Sequence, residues 1–411
     1  MAGPPPDGQP APDDGHLPES ALERLGERGF GIYVHVPFCA ARCGYCDFNT
    51  YTPGELGGAG RTDADSWLDA ALAEIDLAGS VLGAAPHGLP RVDTVFVGGG
   101  TPTLLPADHL ARVLGRIDDV FGLTTGAEVT TEANPESVDP ASLAALKAAG
   151  FTRISLGMQS ARSHVLAVLD RRHTPGRAVQ AAQEARAAGF AHVNLDLIYG
   201  TPGETHEDWA ASLEAVTAAG VDHVSAYALI VEDGTRLARQ IARGVLPAPD
   251  DDVLADRYLM ADAALSATGL HWYEVSNWAS DDAARCRHNE LYWRSGDWWG
   301  VGPGAHSHAG GVRWWNVRHP ARYADRLAVK ASPAQAREVL EPEDRRVEDV
   351  LLRLRLADGL PLTVLDDAGR AAAGQAAADG LLEEAAHREG RAVLTLRGRL
   401  LADAVVRALL P

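Results

Sequence analysis

Three of the four cysteines in this 411-residue chain, Cys39, Cys43 and Cys46, fall within one stretch, HVPFCAARCGYCDF at residues 35–48. Thiolates are soft ligands that suit zinc or an iron–sulfur cluster, and intervals of three and two residues let one short loop curl around a single metal body. Pro37 halts a strand just before the loop, and Gly44 permits a turn between the last two thiols. A structural zinc wants four ligands. Asp47 and His35 are the available fourth donors, but Asp47 adjoins Cys46 and is poorly placed to close the same tetrahedron. A [4Fe–4S] cube on three cysteines leaves one iron without a protein ligand, open to a small chelating molecule. That reading explains the odd count, and zinc is its alternative.

A second set of polar and glycine positions lies at the ends of apolar runs: Gly98, Gly99 and Gly100, then Glu132, Gln159 and Asp196. Glycine lets backbone approach a ligand closely, although a triple glycine alone is equally a turn. Carboxylates and an amide at the other three positions offer what a polar nucleoside requires.

The elements that must carry these residues alternate β-rich runs (31–38, 91–100, 127–135, 152–160, 192–200 and 222–231) with Ala-rich amphipathic runs. That pattern predicts parallel strands joined by helices. Three helical runs close on AAGF (148–151), AAGF (187–190) and AAGV (218–221), with glycine in the left-handed position past the last turn. Asp139-Pro140 and Thr174-Pro175 mark helix starts. Six β/α units predict an α/β fold with an incomplete barrel, whose polar residues converge at the carboxyl ends of the strands.

Composition bounds the rest. A formal charge of −19 excludes broad nucleic-acid binding, which needs clustered cations. Few cysteines in a long chain indicate a reducing compartment, so a cytosolic protein is expected. Residues 1–28 begin with a Pro-, Gly- and Asp-rich stretch expected to be a disordered tail rather than a secretory signal. No apolar run is long enough to cross a membrane. Residues 29–270 hold the β/α units. Residues 271–340 form a distinct aromatic module, with seven of nine tryptophans between Trp272 and Trp315. Residues 341–411 predict a small helical domain with a short wing at 391–399.

CAARCGYC after a strand, followed by GGGTP (98–102), resembles the radical S-adenosylmethionine (SAM) superfamily, whose cluster offers its open iron to SAM. IYVHVPFC, VFVGGGTPTLLP, NLDLIYGTPGET and HNELYW extend the resemblance, over nearly all of residues 30–411, to the oxygen-independent coproporphyrinogen III oxidase-like group. It implies a partial (β/α)6 barrel with a small C-terminal helical or winged domain, a [4Fe–4S] cluster on Cys39, Cys43 and Cys46, and bound SAM. By the same resemblance Tyr33, Gly99, Gly100, Thr101, Glu132, Gln159, Arg171, Asp196 and Ile230 line the SAM site, with Tyr45 beside the adenine.

The group has two branches. Decarboxylating members carry CxxxCxxCxC, whereas here Cys46 is followed by Asp47 and Phe48, as in the haem-chaperone branch. The string HNELYW (288–293) resembles that branch's haem-associated motif. An imidazole can ligate haem iron, and Tyr and Trp offer flat apolar faces. The resemblance therefore implies haem as a ligand, His288 as its ligand or attachment residue, and an acceptor haem protein, a respiratory membrane protein being the expected one. Cys286, His306 and His308 compete for the haem role, and a Trp-rich stretch also packs domain junctions. The rival is a radical enzyme that abstracts hydrogen from a porphyrinogen, or a related methyltransferase.

Overall fold

The computed structural model describes residues 8–56, 62–171 and 173–410. Its core is six parallel strands in sequence order: β1 (Phe30–Val36), β2 (Val92–Gly99), β3 (Leu123–Ala133), β4 (Arg153–Gln159), β5 (His192–Tyr199) and β6 (His223–Ala228). Long helices cross between them, α1 (Ala64–Leu82), α2 (Ala107–Phe121), α3 (Pro140–Ala148), α4 (Arg177–Ala187) and α5 (His206–Ala219). Their apolar faces meet the strands in one continuous core that includes Val34, Val95, Ile154, Leu195 and Trp209. This is the expected α/β architecture.

The repeated AAG ending works as its chemistry predicts. Gly150, Gly189 and Gly220 have φ of 107°, 89° and 64°. Phe151 and Phe190 then return their N–H groups to Leu146 and Ala185, satisfying carbonyls left open at the helix ends. Asp139 caps α3, accepting from the Ser142 N–H at 2.7 Å ahead of Pro140. Thr174-Pro175 differs from expectation: Gly176 intervenes in a left-handed conformation, and α4 starts only at Arg177.

The barrel is not closed on itself. At one side β6 pairs with the antiparallel ribbon β7 (His271–Glu274) and β8 (Asn277–Ala279). At the other, β9 (Asp297–Val301) runs parallel to β1, followed by β10 (His306–Ala309), β11 (Val312–Asn316) and β12 (Ala334–Val339). The aromatic segment expected to stand apart therefore extends both edges of the same sheet. Tryptophans carry that extension: Trp278 is fully buried, and Trp299 meets Trp314 edge to face at 4.9 Å.

The disordered tail is a second correction. Residues 1–7 lie outside the described residues, but from residue 8 the chain is packed. Gln9–Pro10 adds a short strand to β12, the Ser332 N–H donates to the Asp13 carbonyl, and Leu17, Ala21 and Leu22 are buried. Three apolar residues spaced through a polar composition suffice to dock it, a signal that averaging over the segment hides.

The C-terminal helices enclose their own core of Val350, Leu354, Leu365 and Leu409. The wing is shorter than 391–399. Arg391–Ala392 pairs with Leu360–Pro361 and Leu394 bridges to Leu382, and the extended run stops there because Thr395 caps a helix at Leu396–Leu400 by accepting from the Gly398 N–H.

Glu74 on α1 ties the helix layer to the sheet extension. Fully buried, it accepts from Tyr323 Oη at 2.5 Å, the Gly302 N–H at 2.8 Å and Asn316 Nδ2 at 2.7 Å. Burial pushes its carboxyl up to about 7. The fold thus retains a proton that the unfolded chain releases above about 4.5, and the stability this contributes declines as pH rises toward 7. Glu74→Ala, which leaves three buried donors unpaired, should cost about 3 kcal/mol or more in chemical denaturation. Glu74→Gln should flatten the pH dependence between 5 and 7, and an unchanged slope would contradict the assignment.

Candidate functional site

The cysteine loop is fastened at both ends by backbone. Cys39 N–H donates to the Tyr51 carbonyl at 3.0 Å and Tyr51 N–H to that of Pro37 at 2.7 Å, closing the stem. Gly44 donates to the Leu169 carbonyl and accepts from the Leu237 N–H, which holds the loop's middle against the short helices that follow β4 and β6. A Cβ at Gly44 would stand 2.5 Å from the Asp170 carboxylate, which would have to turn aside to admit it.

All three thiols are free and partly exposed. Cys43 and Cys46 line a cavity of about 1120 Å3 together with Thr101, Arg171 and His173. Among the described residues no three His, Cys, Asp or Glu side chains gather closely enough to hold a single metal ion. Cys286 is buried elsewhere, its thiol 3.7 Å from Glu128 Oε1, and supplies no fourth ligand.

The triple glycine packs against the loop's stem. Gly100 N–H donates to the Val36 carbonyl at 2.7 Å and Thr101 N–H to that of Phe38 at 2.8 Å. A Cβ on Gly100 would meet the Phe38 oxygen at 2.4 Å, and one on Gly99, whose φ is 108°, would meet the His35 ring at 2.6 Å. The Gly99 N–H is bound by Glu132 Oε2 at 3.0 Å. Burial, then the Asp196 carboxylate, push Glu132 up to about 8. Burial also raises Asp196, which accepts from Ser155 Oγ and Asn194 Nδ2.

Arg171 spans the gap between loop and sheet. Its guanidinium donates to the Gly157 carbonyl at 2.9 Å and to His173 Nε2 at 3.0 Å, and lies 3.8 Å from Cys43 Sγ. Burial, then Arg171 itself, hold His173 down to about 4, leaving a neutral ring able to accept. Gln159 beside it is buried with φ of 65°, a strained position for a residue with a side chain. Tyr45 packs on Leu169, Ile198 and Leu229, while Ile230 is 51% exposed.

The expected site residues thus divide. Thr101, Arg171, Cys43 and Cys46 face the large outer cavity; Tyr33, Glu132, Asp196 and His288 line a separate inner cavity of about 140 Å3 within the sheet's curve. Sequence reasoning missed the inner network of Ser155, Asn194, Ser225 and His223. Its signal was present as polar residues two apart in apolar strands, Asn194 with Asp196 and His223 with Ser225. Arg236 and Arg239 on the outer rim had no such signal.

His288 is held in the interior. Only 1% exposed, it sits at the start of α7 (Arg287–Trp293; the intervening helix α6 spans Asp251–Ala267). Nδ1 is 2.8 Å from Thr94 Oγ1 and Nε2 is 2.7 Å from Tyr292 Oη, with the ring stacked on Phe96. Both nitrogens have a hydroxyl partner in this structure, so the imidazole braces α7 against β2.

Residues 33–216 match the family model of the radical SAM superfamily. The heme chaperone HemW of Mycobacterium tuberculosis is 58% identical over 93% of this chain and 95% of its own length. The chain belongs to the HemW family of the radical SAM superfamily. HemW of Bacillus subtilis is 32% identical over 80% of this chain and 84% of its own length. The fold matches that of Escherichia coli coproporphyrinogen III oxidase (HemN), with a TM-score of 0.79, 24% identity, and 95% and 92% of the two chains covered. Membership of the superfamily implies a [4Fe–4S] cluster and SAM, and three free thiols beside a glycine cradle and a buried guanidinium fit both.

Cys39→Ala, Cys43→Ala and Cys46→Ala should each lose the visible absorbance and iron of anaerobically reconstituted protein, while Cys286→Ala keeps them. Gly100→Ala should lower iron content as well. Parental iron in any of the three loop variants would remove the ligand assignment.

Proposed function

We propose that this protein binds haem and hands it to an acceptor haem protein, with a [4Fe–4S] cluster and SAM as resident cofactors. The reading is carried by near full-length identity of 58% to a protein named as a haem chaperone. The loop sequence Cys46-Asp47-Phe48 supports it, because it lacks the additional cysteine of the decarboxylating branch.

Cys39, Cys43 and Cys46 would hold the cluster, which when bound supplies an iron open to the amino and carboxylate groups of SAM. The Gly99 and Gly100 backbone and Thr101 form one wall for that ligand. Glu132 and Asp196 offer acceptors for amino or ribose hydroxyl groups, and Gln159 a side-chain amide. Arg171 offers a guanidinium to a carboxylate. Tyr33 would border the inner side, Tyr45 the adenine, and Ile230 would be covered by the bound nucleoside. The acceptor in this reading is a respiratory haem protein of the membrane, approached from the cytosol. None of the described helices is long and apolar enough to cross a membrane.

The HemN-like fold favours a second reading, a radical enzyme acting on a porphyrinogen. Against it, Cys46 is followed by Asp47 and Phe48, without the additional cysteine of the decarboxylating branch. The two separate in one anaerobic experiment with reductant, haem, SAM and coproporphyrinogen. Haem binding without decarboxylated product is expected; turnover of coproporphyrinogen would overturn the chaperone reading.

A further inference from the structure

An open cleft of about 380 Å3 lies between the cysteine loop's exit and the β9–β11 extension. Its walls include Phe48, Tyr292, Trp298, His306 and Arg318. Phe48, two residues beyond the last thiol, is 59% exposed, an apolar ring with nothing on its outer face. Tyr292 and Trp298 meet edge to face at 4.6 Å, and the Trp298 indole N–H donates to the His306 carbonyl at 3.0 Å, which fixes the aromatic wall.

The polar groups are placed differently from those of the inner cavity. The His306 ring stacks at 5.9 Å on Trp315, and its nitrogens make no hydrogen bond within the described residues. Burial, then Arg318 and Arg313, keep this imidazole below its ordinary range, so it is neutral at pH 7 with a lone pair to donate. Arg318 is exposed, and its guanidinium pairs with no carboxylate among the described residues, although the chain carries a net charge of −19. Its carbonyl is held instead, accepting from Asn49 Nδ2 at 2.8 Å.

We infer that this cleft is the haem site: His306 ligates the iron, Phe48, Tyr292 and Trp298 cover the macrocycle, and Arg318 receives a propionate. An imidazole without a hydrogen bond, apolar aromatic walls and an unpaired cation are the complements of an iron, a macrocycle and a carboxylate. The HNELYW string enters through Tyr292, with His288 holding its hydroxyl from behind. This inference rests on the proposal that the protein binds haem and adds where.

The test is a titration of the full-length reconstituted protein with ferric haem, followed by the Soret band, in His306→Ala, His306→Gln, Arg318→Gln and His288→Ala. Each variant is first matched to the parent in cluster absorbance and thermal midpoint. Both His306 variants should shift the Soret band and weaken binding at least about tenfold. Arg318→Gln should weaken it about two- to fivefold and lose that difference with haem dimethyl ester, whose propionates are blocked. His288→Ala should retain an axial histidine spectrum. Parental binding in both His306 variants, with loss in His288→Ala, would overturn the cleft while leaving haem binding intact. No binding by the parent would overturn haem binding itself.

Discussion

Two backbone hydrogen bonds, from Gly100 to Val36 and from Thr101 to Phe38, join the carboxyl ends of the first two parallel strands where the thiol-bearing loop departs. Everything at the mouth of the sheet is referred to that short ladder. The contact is tight because two glycines present no side chain, and the His35 ring and Phe38 carbonyl occupy the space a methyl group would take. The acceptor for Gly99 is a carboxylate on the third strand, so the same few ångströms couple loop, cradle and the buried acid pair. A loop of eight residues with three thiols has little internal structure of its own. Its precision is borrowed from strand ends.

Much of this was readable from residue types alone. The thiol spacing, the glycine run, the alternation of strands and helices and the AAG endings are local signals, and each has a local cause. What could not be read depends on distant partners. Thr94 and His288 stand 194 positions apart, and only their contact turns a ligand candidate into a brace. The same holds for the Trp-rich segment: its composition shows that it packs, but not that its strands join both edges of one sheet. Residues 8–28 looked unstructured because Leu17, Ala21 and Leu22 are few, though their burial is nearly complete.

The inner and outer cavities divide the labour between shape and charge. Glu132 and Asp196 lie deep and hold protons more tightly than exposed acids do, because burial outweighs the hydrogen bonds they accept. Arg171 is a cation that both of them feel, and it reaches the thiol loop as well. An uncharged acid beside a fixed guanidinium is a setting in which a zwitterion can be accommodated without stranding a charge.

Among the described residues one flank of the sheet ends at the Gln9–Pro10 pairing on β12. Proline has no N–H to extend a ladder and the strand is only two residues long, so this flank presents almost no template for another chain. A very wide sheet with an open rim would otherwise invite end-to-end stacking into fibrils. The amino-terminal segment serves as a selvedge, keeping the fabric from unravelling or being sewn to its neighbour.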